Sequence, residues 1–326
     1  MTWRLPFFEA LDGAERILIA GAGGGFDVYA GLPLALSLRD EGRTVHLANL
    51  SIVNLYELAR DDWLEPGIAA VTPDTAGFSD YFPERTLARW LASTRWSDGG
   101  GHLHQLPPTV YAFPRTGVRP LRSAYRRLAK RLRLDAIVLV DGGTDILMRG
   151  DEAALGTPVE DATSLAAVNA TPVPTKLVAA IGFGVDAYHG VNHVQVLENI
   201  AALDRAGAYL GAFTVPSHGR EAALYRDAVA HARAATPKRA SIVNGQIAAA
   251  LTGAVGDVPV NGRTFTEPLF VNPLMAMYFT FELAGLAAQS LYLDRIRGTD
   301  DMLQVSHLIE RFRDEITPRP RMPFPH

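Results

Sequence analysis

The sequence predicts an α/β protein with a Rossmann-like, doubly wound and mainly parallel sheet that carries helices on both faces. Three observations lead to this prediction. Short apolar segments alternate along the chain with longer segments of helical periodicity. The strand candidates are apolar on both sides, as strands covered by helices on both faces are. The first of them is followed by a glycine-rich turn and a helix, an order typical of nucleotide-binding folds.

We expect about six or seven strands in the sheet, within the usual range for such folds. Each candidate is a short apolar run bounded by glycine, proline or polar residues. The candidates are Arg16–Ala20, Thr44–Leu50, Ala136–Val140, Leu177–Ile181, Tyr209–Val215, Ala240–Val243 and Leu269–Val271.

Helical periodicity fills most of the gaps between these strands. The predicted helices are Val28–Asp40, Arg119–Arg133, Ala162–Asn169, Val194–Gly207 and Arg220–Ala235. A further segment, Leu274–Leu293, is apolar around nearly its whole circumference and predicts a helix buried on all sides. Glu282, inside this segment, is expected to pair with a polar partner in the core.

The whole chain, residues 1–326, is predicted to form a single domain. Residues 63–113 are rich in Pro, Gly and Trp without a clear period, which favours an inserted loop or lid, or elements that the pattern does not reveal. The proline-rich tail, about residues 316–326, should be extended and could pack on a neighbouring subunit. The tail and the apolar segment together predict a homo-oligomer, most simply a dimer.

Composition excludes several classes of function. The formal net charge is −4, so no general positive field attracts nucleic acid or anionic membrane. The chain has no cysteine, which excludes disulfides, thiolate zinc sites, iron–sulfur clusters and a cysteine nucleophile. Its first residues contain acids where a signal peptide needs an apolar run, and no uncharged segment is long enough to span a membrane. We therefore expect a cytoplasmic protein.

The glycine turn after the first strand is a candidate ligand-binding loop, comprising Gly21, Gly23, Gly24, Gly25 and Asp27. It fits the dinucleotide fingerprint only in part, because Phe26 takes the place where that motif has Gly or Ala, and the second strand ends at Asn49 without a ribose-binding acid. The carboxylate of Asp27 repels a bare pyrophosphate. It suits a metal, an amine or a sugar hydroxyl, although Asp27 could equally cap the helix.

A second candidate site follows the strand Ala136–Val140, where Asp141, Gly142, Gly143 and Asp145 form an acidic turn. Ligands of doubly wound sheets bind at this edge. The two aspartates could share a divalent cation, Mg²⁺ or Mn²⁺, or accept hydrogen bonds from a sugar diol. Asp145 could instead cap a short helix. Asp151 and Glu152, farther along, are expected on the surface.

Two segments resemble a family known only as a domain of unknown function, number 1152. They are "GAGGGFDVYAGL" (residues 21–32) and "DGGTDILMRGDEAALGTPVEDA" (residues 141–162), which carry its GGGxD and DGGxD…GDE motifs. The resemblance implies a Rossmann-like fold and supplies no reaction. Function must therefore be argued from the site.

Other strand ends bring further polar groups to the same predicted edge. After Leu177–Ile181 come Gly182, Gly184, Asp186, His189 and His193; after Tyr209–Val215 come Ser217, His218 and Arg220; after Ala240–Val243 come Asn244 and Gly245. His189 and His218 are candidates for proton transfer, and Arg220 and Asn244 for ligand binding. Such a cluster on one edge of a rigid sheet is typical of an active site.

These groups predict an enzyme that binds a nucleotide, nucleoside or phosphorylated sugar and catalyses a metal-assisted transfer or hydrolysis. Asp141 and Asp145 would hold the metal, and Asp145, His189 and His218 would act in catalysis. One alternative is an NAD(P)-dependent oxidoreductase, against which Phe26, Asp27 and Asn49 argue. The other is a non-catalytic ligand-binding or assembly subunit.

Overall fold

A computed structural model of the chain describes residues 4–77, 80–98, 100–259 and 269–323. Its strands are β1 (Arg16–Gly21), β2 (Thr44–Leu50), β3 (Trp63–Glu65), β4 (Ile68–Val71), β5 (Trp96–Ser97), β6 (Leu103–His104), β7 (Val110–Phe113), β8 (Ala136–Gly142), β9 (Thr175–Ile181), β10 (Tyr209–Thr214), β11 (Gly256–Asp257), β12 (Phe270–Val271) and β13 (Met277–Glu282).

The α-helices in these residues are α1 (Pro6–Glu9), α2 (Asp27–Ala30), α3 (Leu32–Asp40), α4 (Pro83–Ser93), α5 (Val118–Leu132), α6 (Pro158–Asn169), α7 (His193–Arg205), α8 (Arg220–Ala235), α9 (Ile242–Ala250), α10 (Leu283–Gln289), α11 (Leu293–Ile296) and α12 (Met302–Asp314). Single 3₁₀ turns lie between them, of which Asp145–Leu147 and Val185–His189 matter for the site. None of the described helices is long and apolar enough to cross a membrane.

The central sheet has nine strands in the order β10-β13-β9-β8-β1-β2-β7-β4-β3. Its five middle strands, β9-β8-β1-β2-β7, are all parallel, and antiparallel strands flank them on both sides. Numbered along the chain, the parallel strands have the order 3-2-1-4-5 of the Rossmann fold. The predicted Rossmann-like fold class is therefore confirmed, with more strands than the six or seven expected.

Helices cover both faces of this sheet. Alternate residues of each strand contribute to two different cores, as the two-residue period of a strand requires. On β1, Leu18 lies in the core under α5, α6, α10 and α12, whereas Ile17 and Ile19 lie in the core under α3, α4, α8 and α9. Burial on both faces explains why the parallel strands read as continuous apolar runs.

The segment Leu274–Leu293 is not one buried helix, and that prediction was wrong. It contains strand β13, which lies between β9 and β10, followed by helix α10. A strand with a partner on each side and helices on both faces is apolar throughout, so it resembles a buried helix in periodicity. Glu282 ends β13 and is exposed to solvent, so it has no place in the core. One premise of the predicted oligomer is thereby removed.

Two short strand predictions also differ from the structure. Ala240–Val243 leads into helix α9, because Ser241 caps the helix by accepting a hydrogen bond from the Asn244 N–H (3.1 Å). Leu269–Val271 yields only β12, which pairs with β11 in a separate two-stranded ribbon.

Residues 63–113 are an integral part of the fold. They supply β7 and β4, which extend the sheet beyond β2, and helix α4. Trp90 of α4 is buried, and its indole N–H donates to Asp227 of α8 (2.7 Å). The glycines and prolines of this segment mark turns between short elements, which a search for long periodic segments passes over.

Candidate metal centre

The candidate site lies where β1 and β8 adjoin, at the point where the strand order reverses. The chain leaves β1 toward β2 on one side and returns in β8 on the other side. The two strand ends are tied by a hydrogen bond from the Ala22 N–H to the Val140 carbonyl (2.9 Å). Doubly wound sheets bind ligands in this crevice. It brings Asp27, after β1, next to Asp141, near the end of β8.

Three carboxylates converge there. Asp27, Asp141 and Asp161 each present one oxygen, and these oxygens all lie within 4.8 Å of one another. Asp141 and Asp161 are each only 3% exposed, whereas Asp27 is half-buried. Oxygen ligands lie about 2.0–2.6 Å from Mg²⁺ or Ca²⁺, so two ligands of one cation are at most about 4–5 Å apart. The three oxygens therefore have the spacing of a cation site.

The glycine loop holds two of these carboxylates in place. Asp27 accepts a hydrogen bond from the Gly23 N–H (2.6 Å). A Cβ at Gly23 would lie 2.7 Å from Asp27 Oδ2 and 3.0 Å from Asp161 Oδ1, so only glycine leaves them room. Asp161 Oδ1 is buried and has no hydrogen-bond partner among the described residues. An unpartnered buried carboxylate oxygen is costly, so this atom is open to accept a hydrogen bond or to coordinate a cation.

Two more buried aspartates border the three. Asp145 accepts hydrogen bonds from the backbone N–H (2.8 Å) and hydroxyl (3.0 Å) of Thr157. Asp186 accepts one from the Thr144 N–H (2.6 Å). A Cβ at Gly143 would lie 2.7 Å from Asp186 Oδ2, so the second glycine of the acidic turn makes room for a carboxylate. Both side chains are fixed in orientation before any ligand arrives.

Burial raises the pKa of all five carboxyl groups. For Asp27 the pKa rises to about 7, even though the Gly23 N–H stabilises its charge. The pKa values of Asp141, Asp161 and Asp186 lie well above their ordinary range, because burial and mutual repulsion act in the same direction. Asp145 also has a raised pKa through burial, which the two Thr157 hydrogen bonds partly oppose. A bound cation would offset this repulsion.

The structure brings one of the two predicted histidines to the site. His189 is exposed at the end of its 3₁₀ turn and is close enough to Asp145 to lower that group's pKa. His218 is exposed in the loop after β10, and β10 lies three strands away from β8. His218 therefore has no place in this centre.

Arg220 and Asn244, predicted to bind ligand, are engaged by the protein. Arg220 forms ion pairs with Asp40 and Glu221. Asn244 is buried, and its side-chain amide donates to the Phe26 carbonyl (3.1 Å), which holds the glycine loop from behind.

Protein atoms also surround the remaining glycines. Gly24 and Gly25 have φ angles of 87° and 60°, which favour glycine. A Cβ at Gly24 would lie 2.6 Å from the Leu50 carbonyl oxygen, and one at Gly25 would lie 3.1 Å from the Tyr81 hydroxyl. At Gly142 it would lie 3.2 Å from Asp27 Oδ1. The loop is thus shaped by its packing and by the carboxylates.

Asn49 completes the support of this loop. Its amide N–H groups donate to the Gly25 carbonyl and to Glu84 Oε1, both at 2.8 Å. A Cβ at Gly21 would collide with the Asn49 side chain. Glu84 is fully buried, and burial raises its pKa to about 7, although the Asn49 hydrogen bond favours its charged form.

Asp161 is the main residue that the sequence reasoning missed. It lies in the first turn of α6, just after Glu160. The pair follows Pro158, a residue favoured at the start of a helix. The available signal was an acid in the first turn of the helix that follows the acidic turn. Nothing in the spacing shows, however, that Asp161 and not Glu160 faces Asp27.

Glu152 was predicted on the surface, and this was wrong. It is fully buried and accepts hydrogen bonds from the N–H groups of Arg149 (3.0 Å) and Gly150 (2.9 Å). Arg319 of the C-terminal tail reaches it across the surface (3.1 Å). The described part of the tail therefore contacts its own chain through Arg319, and residues 324–326 of the predicted tail lie outside the described residues. Whether the chain associates stays a prediction.

Comparison with known proteins gives one result. A family model described as a protein of unknown function (DUF1152) matches residues 101–313, about two thirds of the chain. The chain belongs to this family. The matched span includes Asp141, Asp145, Asp161 and Asp186 but not the glycine loop with Asp27. The family description assigns no reaction, and neither a curated protein nor a solved structure matches the chain.

Proposed function

We propose that the protein is a divalent-cation-dependent enzyme that transfers or hydrolyses a group on a nucleotide, nucleoside or phosphorylated sugar. The observation that carries this proposal is the convergence of Asp27, Asp141 and Asp161 within 4.8 Å, with one buried oxygen of Asp161 that has no hydrogen-bond partner in the described part of the chain. Three carboxylates this close together inside a protein are stable in their charged form only when a positive charge lies among them.

In this proposal Asp27, Asp141 and Asp161 hold the cation. Asp141 and Asp161 are fixed by the end of a buried strand and the first turn of a helix, and Asp27 by the Gly23 N–H. This assignment replaces the pair Asp141 and Asp145 expected from the sequence, because both hydrogen bonds from Thr157 hold Asp145 toward its own loop. When bound, Mg²⁺ or Mn²⁺ would supply positive charge for phosphate or sugar oxygens.

Asp145 and His189 are the candidates for proton transfer. Burial raises the pKa of the Asp145 carboxyl, which brings it toward the range in which a carboxyl group can exchange protons near neutral pH. His189 lies near enough to lower the pKa of Asp145 and is exposed to solvent, so we assign it the exchange of that proton with the solvent. Asp27, the most accessible acid of the centre, marks the side from which a substrate would approach.

A nicotinamide-dependent oxidoreductase is the alternative that the strand order itself suggests. The residues of the glycine loop fit a dinucleotide less well than they fit a cation. Asn49, where such enzymes carry a ribose-binding acid, is engaged by the Gly25 carbonyl and Glu84. The Leu50 carbonyl packs against Gly24, and Asp27 would face the pyrophosphate.

The proposal is tested by cation binding in wild-type protein and in Asp161→Asn. We expect Mn²⁺ or Mg²⁺ to raise the unfolding temperature of the wild type, corresponding to about 2.7 kcal/mol at a hundredfold excess over Kd. Asp161→Asn keeps the shape of the side chain but removes a charge. It should abolish this response and raise the stability of the cation-free protein, since less repulsion remains.

Asp204→Asn is the matched control, because Asp204 is an exposed acid on α7. It should leave the cation response unchanged. An unaltered response in Asp161→Asn, or no response in the wild type, would contradict the proposed site. A panel of nucleotides and sugar phosphates, assayed for product with cation and with chelator, then separates an enzyme from a non-catalytic binding protein.

A further inference from the structure

The C-terminal segment, residues 317–323, contacts two loops next to Asp145 and Asp186, the two acids that border the proposed cation site. One is the loop 148–157, which connects Asp145 to its hydrogen-bond donor Thr157. The other is the turn 185–190, which carries Asp186 and His189. The segment has no regular secondary structure, so its position depends on the contacts that its side chains and backbone make.

Arg319 makes the main contacts with the first loop. Its guanidinium contacts Asp151 Oδ1 (3.0 Å) and Glu152 Oε1 (3.1 Å), and also forms an ion pair with Glu198. Its backbone N–H donates to the Asp151 carbonyl (2.7 Å). Because Glu152 is fully buried, its carboxyl group depends on this partner. Removing the partner of a buried charge costs much more folding stability than breaking an ion pair on the surface.

Arg313, at the end of α12, adds to the same attachment. One guanidinium nitrogen donates to the carbonyl oxygens of Gly150 and Glu152, both at 2.7 Å. The loop is therefore bound by charge at its carboxylates and by hydrogen bonds along its backbone.

The segment reaches the second loop through its last described residues. Arg321 donates to the Gly190 carbonyl (2.6 Å), directly after His189. Asn192, which caps α7, donates to the Met322 carbonyl (2.8 Å). Gln195 of α7 joins the segment to the first loop, since its amide donates to the Pro320 carbonyl (3.2 Å) while its oxygen accepts from the Ala153 N–H (3.0 Å).

We propose that Arg319 and Arg321 are positioning residues, and that the C-terminal segment acts as a strap that fixes Asp145, Asp186 and His189 around the cation centre. The role of the strap in cation binding rests on the proposed function, whereas its contacts with the two loops do not. None of the strap residues contacts the three carboxylates of the cation site. Their effect is exerted through the loops 148–157 and 185–190.

Strap variants test this in two ways. Arg319→Met keeps the length and apolar stem of the side chain but removes the charge, and a truncation after Pro318 removes the strap. We expect both to weaken Mn²⁺ binding, measured by calorimetry, about tenfold or more, as loss of groups that orient a metal site does. In cation-free protein, hydrogen exchange should become faster at amides of residues 149–157 and 185–190, and little elsewhere.

Arg311→Met is the matched control, because Arg311 lies on α12 and forms only an exposed ion pair with Glu315. It should change neither measurement. A synthetic peptide of residues 315–326 should restore the affinity of the truncated protein. Where a variant is destabilised, the milder Arg321→Ala, which removes a single bond to Gly190, should still raise exchange at residues 185–190.

The outcomes separate the two proposals. Unchanged affinity and exchange in Arg319→Met and in the truncated protein, or faster exchange spread evenly over the molecule, would overturn the strap. If the wild type binds no Mn²⁺, the proposed function fails, while the exchange experiment still decides whether the segment fixes these two loops.

Discussion

At the scale of single residues, the chain tolerates buried acids only with specific partners. Asp145 and Asp186 each receive two hydrogen bonds from a threonine, and Glu152 receives them from two backbone amides and is paired with Arg319. Asp161 Oδ1 and Glu84 Oε2 depart from this rule, since neither has a hydrogen-bond partner among the described residues. For Glu84 the raised pKa favours the neutral carboxyl group, whereas for Asp161 the proposed function supplies a cation as the partner.

Glu84 gives a prediction on pH and stability. Its pKa rises from 4.5 to about 7 in the folded protein, because the side chain is buried. Between these values the folded state holds a proton that the unfolded state releases, so stability falls as pH rises from 4.5 through 7. Glu84→Gln should be more stable than the wild type above pH 7, by up to about 3 kcal/mol, and similar to it below pH 4.5.

Urea unfolding from pH 4.5 to 9 measures this difference. The aspartates of the cation centre also titrate, but they do so in both proteins, so the difference between the two curves isolates Glu84. Parallel curves would show that Glu84 is ionised throughout.

At the scale of elements, the site depends on the turns that follow two strands, in which glycines leave room for carboxylate side chains. Gly23 follows β1 and Gly143 follows β8, and each lies against a carboxylate. These glycines do not need a positive φ. Glycine is required at these positions because a carboxylate lies where a Cβ would otherwise be. This explains why each acidic motif combines glycines with aspartates.

Gly143→Ala should therefore disturb the site. Its Cβ would lie 2.7–2.8 Å from both oxygens of Asp186, so that carboxylate must move. We expect a loss of about 1–3 kcal/mol in unfolding free energy, as overpacking of a buried site causes, and weaker cation binding. Gly13→Ala is the control, since a Cβ there meets nothing within 4 Å. Equal stability of the two variants in thermal unfolding would refute this account of the turn.

At the scale of the whole molecule, the sheet joins distant parts of the chain. Residues 63–113, expected to be a loop or lid, supply strands on one side of the sheet, and residues 277–282 supply a strand on the other. Trp96 is buried and its indole N–H donates to Asp40 at the end of α3 (2.6 Å). These contacts attach the segment to helices α3 and α8 of the core.

We therefore expect the segment to unfold together with the sheet. Trp63, Trp90 and Trp96 all lie within residues 63–113, so in a Trp3→Phe background tryptophan fluorescence reports on this segment alone. Far-UV circular dichroism reports on all helices and strands. The two signals should give one coincident transition in denaturant. A separate, earlier fluorescence transition would show that the segment is an independent lid.

Sequence patterns alone identified four of the five parallel strands of the sheet and the edge at which the acids meet. Strands β1, β2, β8 and β9 are buried on both faces, so their apolar runs are visible without a structure, and helix α8 was located at its observed bounds. Because the ends of parallel strands share one edge, the meeting of Asp27 and Asp141 follows from strand order.

Which groups complete the centre depends on how the elements pack across the sheet. Asp161 and Arg319 come from a helix and a tail whose orientation depends on packing across the sheet, which local periodicity does not contain. The same reason applies to β13, whose apolar pattern fits a helix until its neighbours β9 and β10 are known. Sequence patterns report how a segment is buried, whereas the identity of the neighbour is a property of the folded chain.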